Sequence, residues 1–174
     1  MNKIVIYCSA SDVIDASFNE SAAALVTSLC GKGYGIVSGG TIKGTMGVIA
    51  DAVAGCGGYH KGVLPRFMTD LAHPGLSETA WTDSMSLRKE EMRKDTAAAI
   101  ALPGGIGTLD ELIETLVLKK LHCYFGRVIV LNLGGFFEPL KALLDHYVAT
   151  GMMTGADKDL LEWYGSVEDL ITTL

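Results

Sequence analysis

The chain has 174 residues, 49% of them hydrophobic and 21 of them glycine, and a formal net charge of −6. That length buries a real core within one domain spanning residues 1–174, and the acidic balance excludes a nucleic-acid backbone as the main partner, because such binding needs a basic face. No segment reaches the roughly 18 apolar residues a membrane-spanning helix requires, and Met1–Ile6 enters a strand-like run without a signal peptide's apolar core. A soluble, cytoplasmic protein without a membrane partner is expected.

In chain order, Ile4 to Cys8 reads as a short β-branched strand, and Phe18 to Cys30 as a helix closed by Gly31 and Gly33. Tyr34 to Val37 is the next strand, followed by a glycine-rich turn and a helix from about Met46 to Ala54. Lys61 to Leu64 is a strand closed by Pro65, and a short extended piece, Thr79 to Thr82, precedes a charged helix, Ser84 to Asp95. The apolar run Ala97 to Leu102 leads into a second glycine turn and an amphipathic helix, Glu111 to Leu121. A strand at Val128 to Leu131 and helices at Pro139 to Thr150 and Val167 to Thr173 complete the series. Alternation of this kind, with fully apolar strands, predicts an α/β fold: a parallel sheet with helices on both faces and ligands at the carboxyl ends of its strands.

Cys8, Cys30, Cys56 and Cys123 form no Cys-x-x-Cys pair and read as free buried thiols; the four histidines show no paired spacing either, so no metal site is expected.

The turn Pro103-Gly104-Gly105-Ile106-Gly107-Thr108 lies between a strand and a helix, where backbone N–H groups and the positive helix end suit a phosphate. Thr108-x-x-Glu111 also has the spacing of a capping box, and local spacing alone favours that reading for Glu111. A cap does not need three glycines, however, and Asp110 and Glu111 beside a phosphate require cations from elsewhere. A second cluster, Ser38-Gly39-Gly40-Thr41-Ile42-Lys43-Gly44-Thr45, matches neither a dinucleotide fingerprint nor a Walker loop, and for Gly39 and Gly40 packing is as good an account as ligand contact. The helix Ser84 to Asp95 offers the missing cations. Met85, Arg88 and Met92 share one face, and an arginine on an inward stripe is costly without an anionic partner.

Met85-x-x-Arg88-Lys89 together with Pro103-Gly-Gly-x-Gly-Thr-x-x-Glu111 resembles the two signatures of the LONELY GUY (LOG) family, often labelled "possible lysine decarboxylase". The looser resemblance runs nearly end to end. It implies a Rossmann-like fold, a homodimer or larger homo-oligomer, and hydrolysis of the N-glycosidic bond of AMP-like nucleotides, N6-substituted cytokinin forms included, to free base and ribose 5-phosphate with no cofactor. By that resemblance Arg88 and Glu111 are the catalytic pair. Met85, Lys89, Gly104, Gly105, Ile106, Gly107 and Thr108, with Ser9, Gly39 and Gly40 from the other two turns, hold the nucleotide. Glu111 would stabilise a cationic ribose or deprotonate the attacking water, and Arg88 would keep Glu111 ionised by lowering its pKa. A pyridoxal decarboxylase needs a Schiff-base lysine with its own phosphate cup, and nothing in the sequence specifies that set.

Three stretches depart from the family pattern: Cys8-Ser9-Ala10-Ser11 in place of Cys-Gly-Ser-Ser, Thr41 in place of a third glycine, and Val117 to His122 in place of Thr-Trp-Ala-Gln-Leu-Gly. The base preference therefore does not transfer. The rival reading is a non-catalytic nucleotide or cofactor carrier, since related Rossmann-like proteins keep the glycine turn while binding nucleotides or a molybdenum-cofactor precursor.

Overall fold

The computed structural model describes residues 1–174, and its centre is a seven-stranded sheet. The strands are β1 (Lys3–Tyr7), β2 (Gly35–Ser38), β3 (His60–Pro65), β4 (Glu78–Thr82), β5 (Thr96–Ala101), β6 (Arg127–Leu131) and β7 (Leu161–Tyr164). They lie in the order β4-β3-β2-β1-β5-β6-β7, every neighbouring pair parallel. The order reverses between β1 and β5, so the chain's switch point falls where their carboxyl ends part. The fold is the α/β architecture that the alternation predicts, Rossmann-like as the family resemblance implies.

Side-chain alternation sends Ile4 and Ile6 of β1, Ala98 and Ile100 of β5, and Ile129 and Leu131 of β6 to one face of the sheet. Helices α1 (Ala16–Gly31), α2 (Gly44–Gly55) and α7 (Val167–Ile171) cover that face with Leu25, Leu29, Ile49, Val53 and Leu170. Val5, Tyr7, Ala99, Val128 and Val130 point to the other face, against Met92 of α3 (Met85–Arg93), Leu112 and Leu116 of α4 (Ile106–Lys120) and Leu144 of α5 (Glu138–Ala149). Each fully buried Ile or Leu contributes about 1.5–3 kcal/mol, and both cores meet on the central strands β1, β5 and β6.

Three expectations change. The extended piece at Thr79 is a full parallel strand at one edge, and β7 is an edge strand the sequence reading lacks, as is the short helix α6 (Gly155–Lys158). The helix expected from Glu111 begins at Ile106 and is N-capped by the backbone of Gly105, without a side-chain hydrogen bond. Thr108 and Glu111 form no capping box, because both already lie inside the helix.

The thiols also divide differently. Cys8 is buried, Cys30 half-buried, and Cys56 and Cys123 exposed. No helix is long and apolar enough to cross a membrane.

Candidate active site

The carboxyl ends of β1, β2 and β5 and the start of α4 enclose a cleft of about 290 Å³. Ser9, Gly39, Arg88, Gly105, Gly107, Thr108 and Glu111 line it, all of them named by the sequence. Arg88 reaches it from α3. Its Nε donates to the Val63 carbonyl at 2.9 Å and its Nη1 to Glu111 Oε1 at 2.9 Å. The side chains of both residues are only 10% exposed. A guanidinium pinned at two points holds the carboxylate in one place, and Glu111 Oε2 has no hydrogen-bond partner within the protein.

Glycine is required where this pair packs. A Cβ on Gly39 would stand 2.3 Å from Arg88 Nη2, and one on Gly104 would stand 2.1 Å from Thr108 Oγ1. Gly104 therefore lets the chain turn tightly enough to bring Thr108 under the start of α4. The Thr108 hydroxyl is buried and without a hydrogen-bond partner, an expensive state for a polar atom. It borders the cleft beside the free N–H groups of a 15-residue helix, a combination suited to an anion's oxygens.

Burial is the larger influence on Glu111 and pushes its carboxyl above the usual range, with Arg88 opposing. This reverses the expected sign. Arg88 does lower the pKa, but desolvation outweighs it. Cys8, beside the pair, is driven well up by burial and then by the Glu111 charge, so its thiol is inert.

The remaining candidates fall outside the cleft lining. Lys89 is held between Asp110 (2.9 Å) and Glu114. Its charge neutralises the acid that would have faced a phosphate, and its ammonium is spent on that task. Met85 is 46% exposed at the start of α3, off the inward stripe kept by Arg88 and Met92, and Ile106 is 88% exposed. Gly104 lies beneath the turn, and Gly40 packs on the backbone of Gly62. The second glycine cluster does not offer a second anion site. Asp12 Oδ1 accepts from Gly44 N–H at 2.9 Å, so the chain's own carboxylate occupies the start of α2. Sequence reasoning missed Ile6, Met46 and Ser11 as cleft residues. The switch-point rule could have found Ser11, which lies just beyond the end of β1.

A family model described as "possible lysine decarboxylase" matches residues 46–174. The chain belongs to this family, the LOG family. It is 32% identical over 170 residues to the cytokinin riboside 5′-monophosphate phosphoribohydrolase of Mycobacterium tuberculosis, covering 97% of this chain and 90% of that protein. It is also 33% identical to a probable enzyme of the same name from Oryza sativa, covering 99% of this chain and 71% of the relative, and 30% identical to one from Arabidopsis thaliana, covering 99% and 82%. Among solved structures, the molybdenum cofactor binding protein of Rippkaea orientalis shares the fold with a TM-score of 0.77 at 20% identity, covering 99% of this chain and 95% of that one. In this chain the two family signatures are the segments that meet at the cleft: α3 carries Arg88, and the first turns of α4 carry Thr108 and Glu111.

Proposed function

We propose that the protein is a nucleoside 5′-monophosphate phosphoribohydrolase acting on AMP-like nucleotides. The observation that carries this reading is the buried Arg88–Glu111 pair set five residues inside the helix start that suits a phosphate. Five residues rise about 7.5 Å along a helix, the scale of a ribose 5-phosphate. The free N–H groups of α4 and Thr108 Oγ1 take the 5′-phosphate, which places the anomeric carbon toward Glu111. Water attacks that carbon and its proton passes to Glu111. The C–N bond breaks with its electron pair on the base, which leaves as it takes up a proton. Cleavage of the C–N bond runs ahead of the attack, and the fixed carboxylate stabilises the cationic ribose until the water adds.

The names of the relatives support the same chemistry, and their cytokinin substrates are the N6-substituted case of it. A carrier would bind phosphate without this carboxylate, whose burial is costly. The decarboxylase label finds no support in the cleft, since no lysine lines it. Exposed thiols at Cys56 and Cys123 favour a reducing, cytoplasmic location. A homodimer is proposed as the working form, its contact the exposed stripe of α4.

The test is to incubate the protein with AMP and with N6-isopentenyl-AMP and measure free base and ribose 5-phosphate. Release that Glu111→Gln lowers by roughly 10²–10⁴-fold is the expected result. Tight nucleotide binding with no release from either substrate would return the reading to the carrier.

A further inference from the structure

At the opposite end of the sheet from the cleft, α1 and α2 finish side by side. Cys30 is the penultimate residue of α1 and Cys56 follows the last residue of α2. Both thiols converge on one spot. The Cys56 thiol donates to the Val53 carbonyl at 3.3 Å, and Cys30 Sγ lies 2.6 Å from where a Cβ of Gly58 would stand, with Val53 the next neighbour of that point. After burial it is the neighbouring Cys56 that most raises the Cys30 thiol, pushed up to about 12. Cys56 is exposed and Cys30 half-buried behind it. No other two cysteines of the chain are so placed, since Cys8 is enclosed in the core beside Glu111 and Cys123 lies on the α4–β6 connection.

We propose that Cys30 and Cys56 form a reversible disulfide under peroxide, a redox site separate from the nucleotide cleft. The Cys56 thiolate attacks a peroxide oxygen, the O–O bond breaks, and Cys56 becomes a sulfenic acid while the other oxygen leaves as water. Cys30 sulfur then attacks Cys56 sulfur. The S–O bond breaks, a second water leaves with the Cys30 proton, and the S–S bond closes. Two thiols and one hydrogen peroxide give one disulfide and two waters. Cys56, exposed to solvent, is the sulfur that peroxide reaches first, and Cys30, half-buried, is the resolving partner.

The bridge closes a loop from residue 30 to residue 56 that contains β2, the Gly39–Gly40 turn and α2. It ties the two helices that already cover one face of the sheet, so it constrains the unfolded chain far more than the folded one. Oxidation therefore raises the thermal midpoint by roughly 5–10 °C. The cleft lies at the other ends of these elements, and its chemistry continues in the oxidised protein.

The experiment treats the full-length protein with one equivalent of hydrogen peroxide, blocks free thiols with iodoacetamide in denaturant and maps the peptides. The expected result is a peptide pair joined through Cys30 and Cys56, lighter by two hydrogens, lost on dithiothreitol treatment and still formed in Cys123→Ser. Cys30→Ser should stop at a dimedone-reactive Cys56. Four freely alkylated thiols at a peroxide dose that labels Cys56 in the Cys30→Ser variant would overturn the proposal, as would a bridge from Cys56 to Cys123 instead. The wild-type map decides the matter even if a variant fails to fold.

Discussion

At Glu111 two influences of opposite sign meet, and their order sets how activity depends on pH. Desolvation raises the carboxyl and the Arg88 cation, hydrogen-bonded at 2.9 Å, pulls it back. The ionised form is the one that can stabilise a cationic ribose, so kcat/KM should fall on the acid side with a midpoint above the usual glutamate range. Arg88→Gln removes the opposing charge, so the acid limb should move to higher pH as the rate drops. A limb that stays in place while only the rate falls would reduce Arg88 to a packing role. Thr108 provides an independent check, because its two contributions have opposite signs. Its buried hydroxyl lacks a partner, so Thr108→Val should leave the unfolding free energy unchanged or raise it by up to about 1 kcal/mol. Affinity for ribose 5-phosphate should nevertheless fall by on the order of 10-fold, the loss of one hydrogen bond to a charged group. Calorimetry of both variants reads the two quantities side by side.

The elements that hold these residues are tied by pairs running between them. α3 and α4 are cross-linked by Arg88 to Glu111, Lys89 to Asp110 and Glu114, and Arg93 to Glu114, so the register of the two helices aims the buried Arg88–Glu111 pair. Under the Gly39–Gly40 turn, His60 of β3 meets Ser38 of β2 at 2.8 Å between Nε2 and Oγ, while Ser38 Oγ accepts from Gly40 N–H at 3.1 Å. Burial, then the neighbouring His73, lowers His60 from 6.5 to about 4. The unfolded chain takes up this proton below pH 6.5 and the folded chain only near pH 4. Stability is therefore full above 6.5 and declines as the pH falls through that window, by on the order of 3 kcal/mol. Denaturant titrations at pH 7 and pH 4 should show this loss, and His60→Gln should flatten it. Much of this level was legible in sequence. β1, β5 and β6 are apolar because both faces are covered, and α1 and α2 end at glycine. β7 escaped notice because Glu162 interrupts its apolar run, and the partner that makes that charge tolerable, Arg127 at 3.0 Å, lies on β6. Lys89 is assigned to the nucleotide by the family resemblance alone. Only the α3–α4 register reveals that Asp110 and Glu114 claim it first. The start of α4 was misplaced because Thr108 and Glu111 have the spacing of a cap, and that pattern cannot show that the backbone of Gly105 already begins the helix.

For the whole molecule, the two faces of α4 define a second surface as well as the site. Leu112 and Leu116 are buried against the sheet, yet Ile106, Leu109, Val117 and Leu121 are exposed by 88%, 40%, 46% and 60%. These four positions follow one helical stripe about 22 Å long, and a lone soluble chain gains nothing by showing it to water. A stripe of this kind is self-complementary. In the proposed homodimer, two copies related by a two-fold axis would lay their α4 helices antiparallel, Ile106 of one near Leu121 of the other, and bury both. Contact along α4 would also set the partner against the rim of the cleft, since Ile106 opens the helix that borders it. Sedimentation equilibrium should then give twice the 18.5 kDa of one chain. Val117→Asp, on the outer face and away from the cleft, should convert the dimer to a folded monomer with an unchanged far-ultraviolet spectrum, because position 117 would otherwise lie opposite Asp110 of the other copy, carboxylate against carboxylate. The monomer should still bind ribose 5-phosphate, whose proposed contacts all come from one chain, and lose discrimination between AMP and N6-isopentenyl-AMP, whose bases would extend over the rim in the proposed pose. A wild-type protein that sediments as a clean monomer would place the whole base pocket within a single chain and leave the α4 stripe without an occupant.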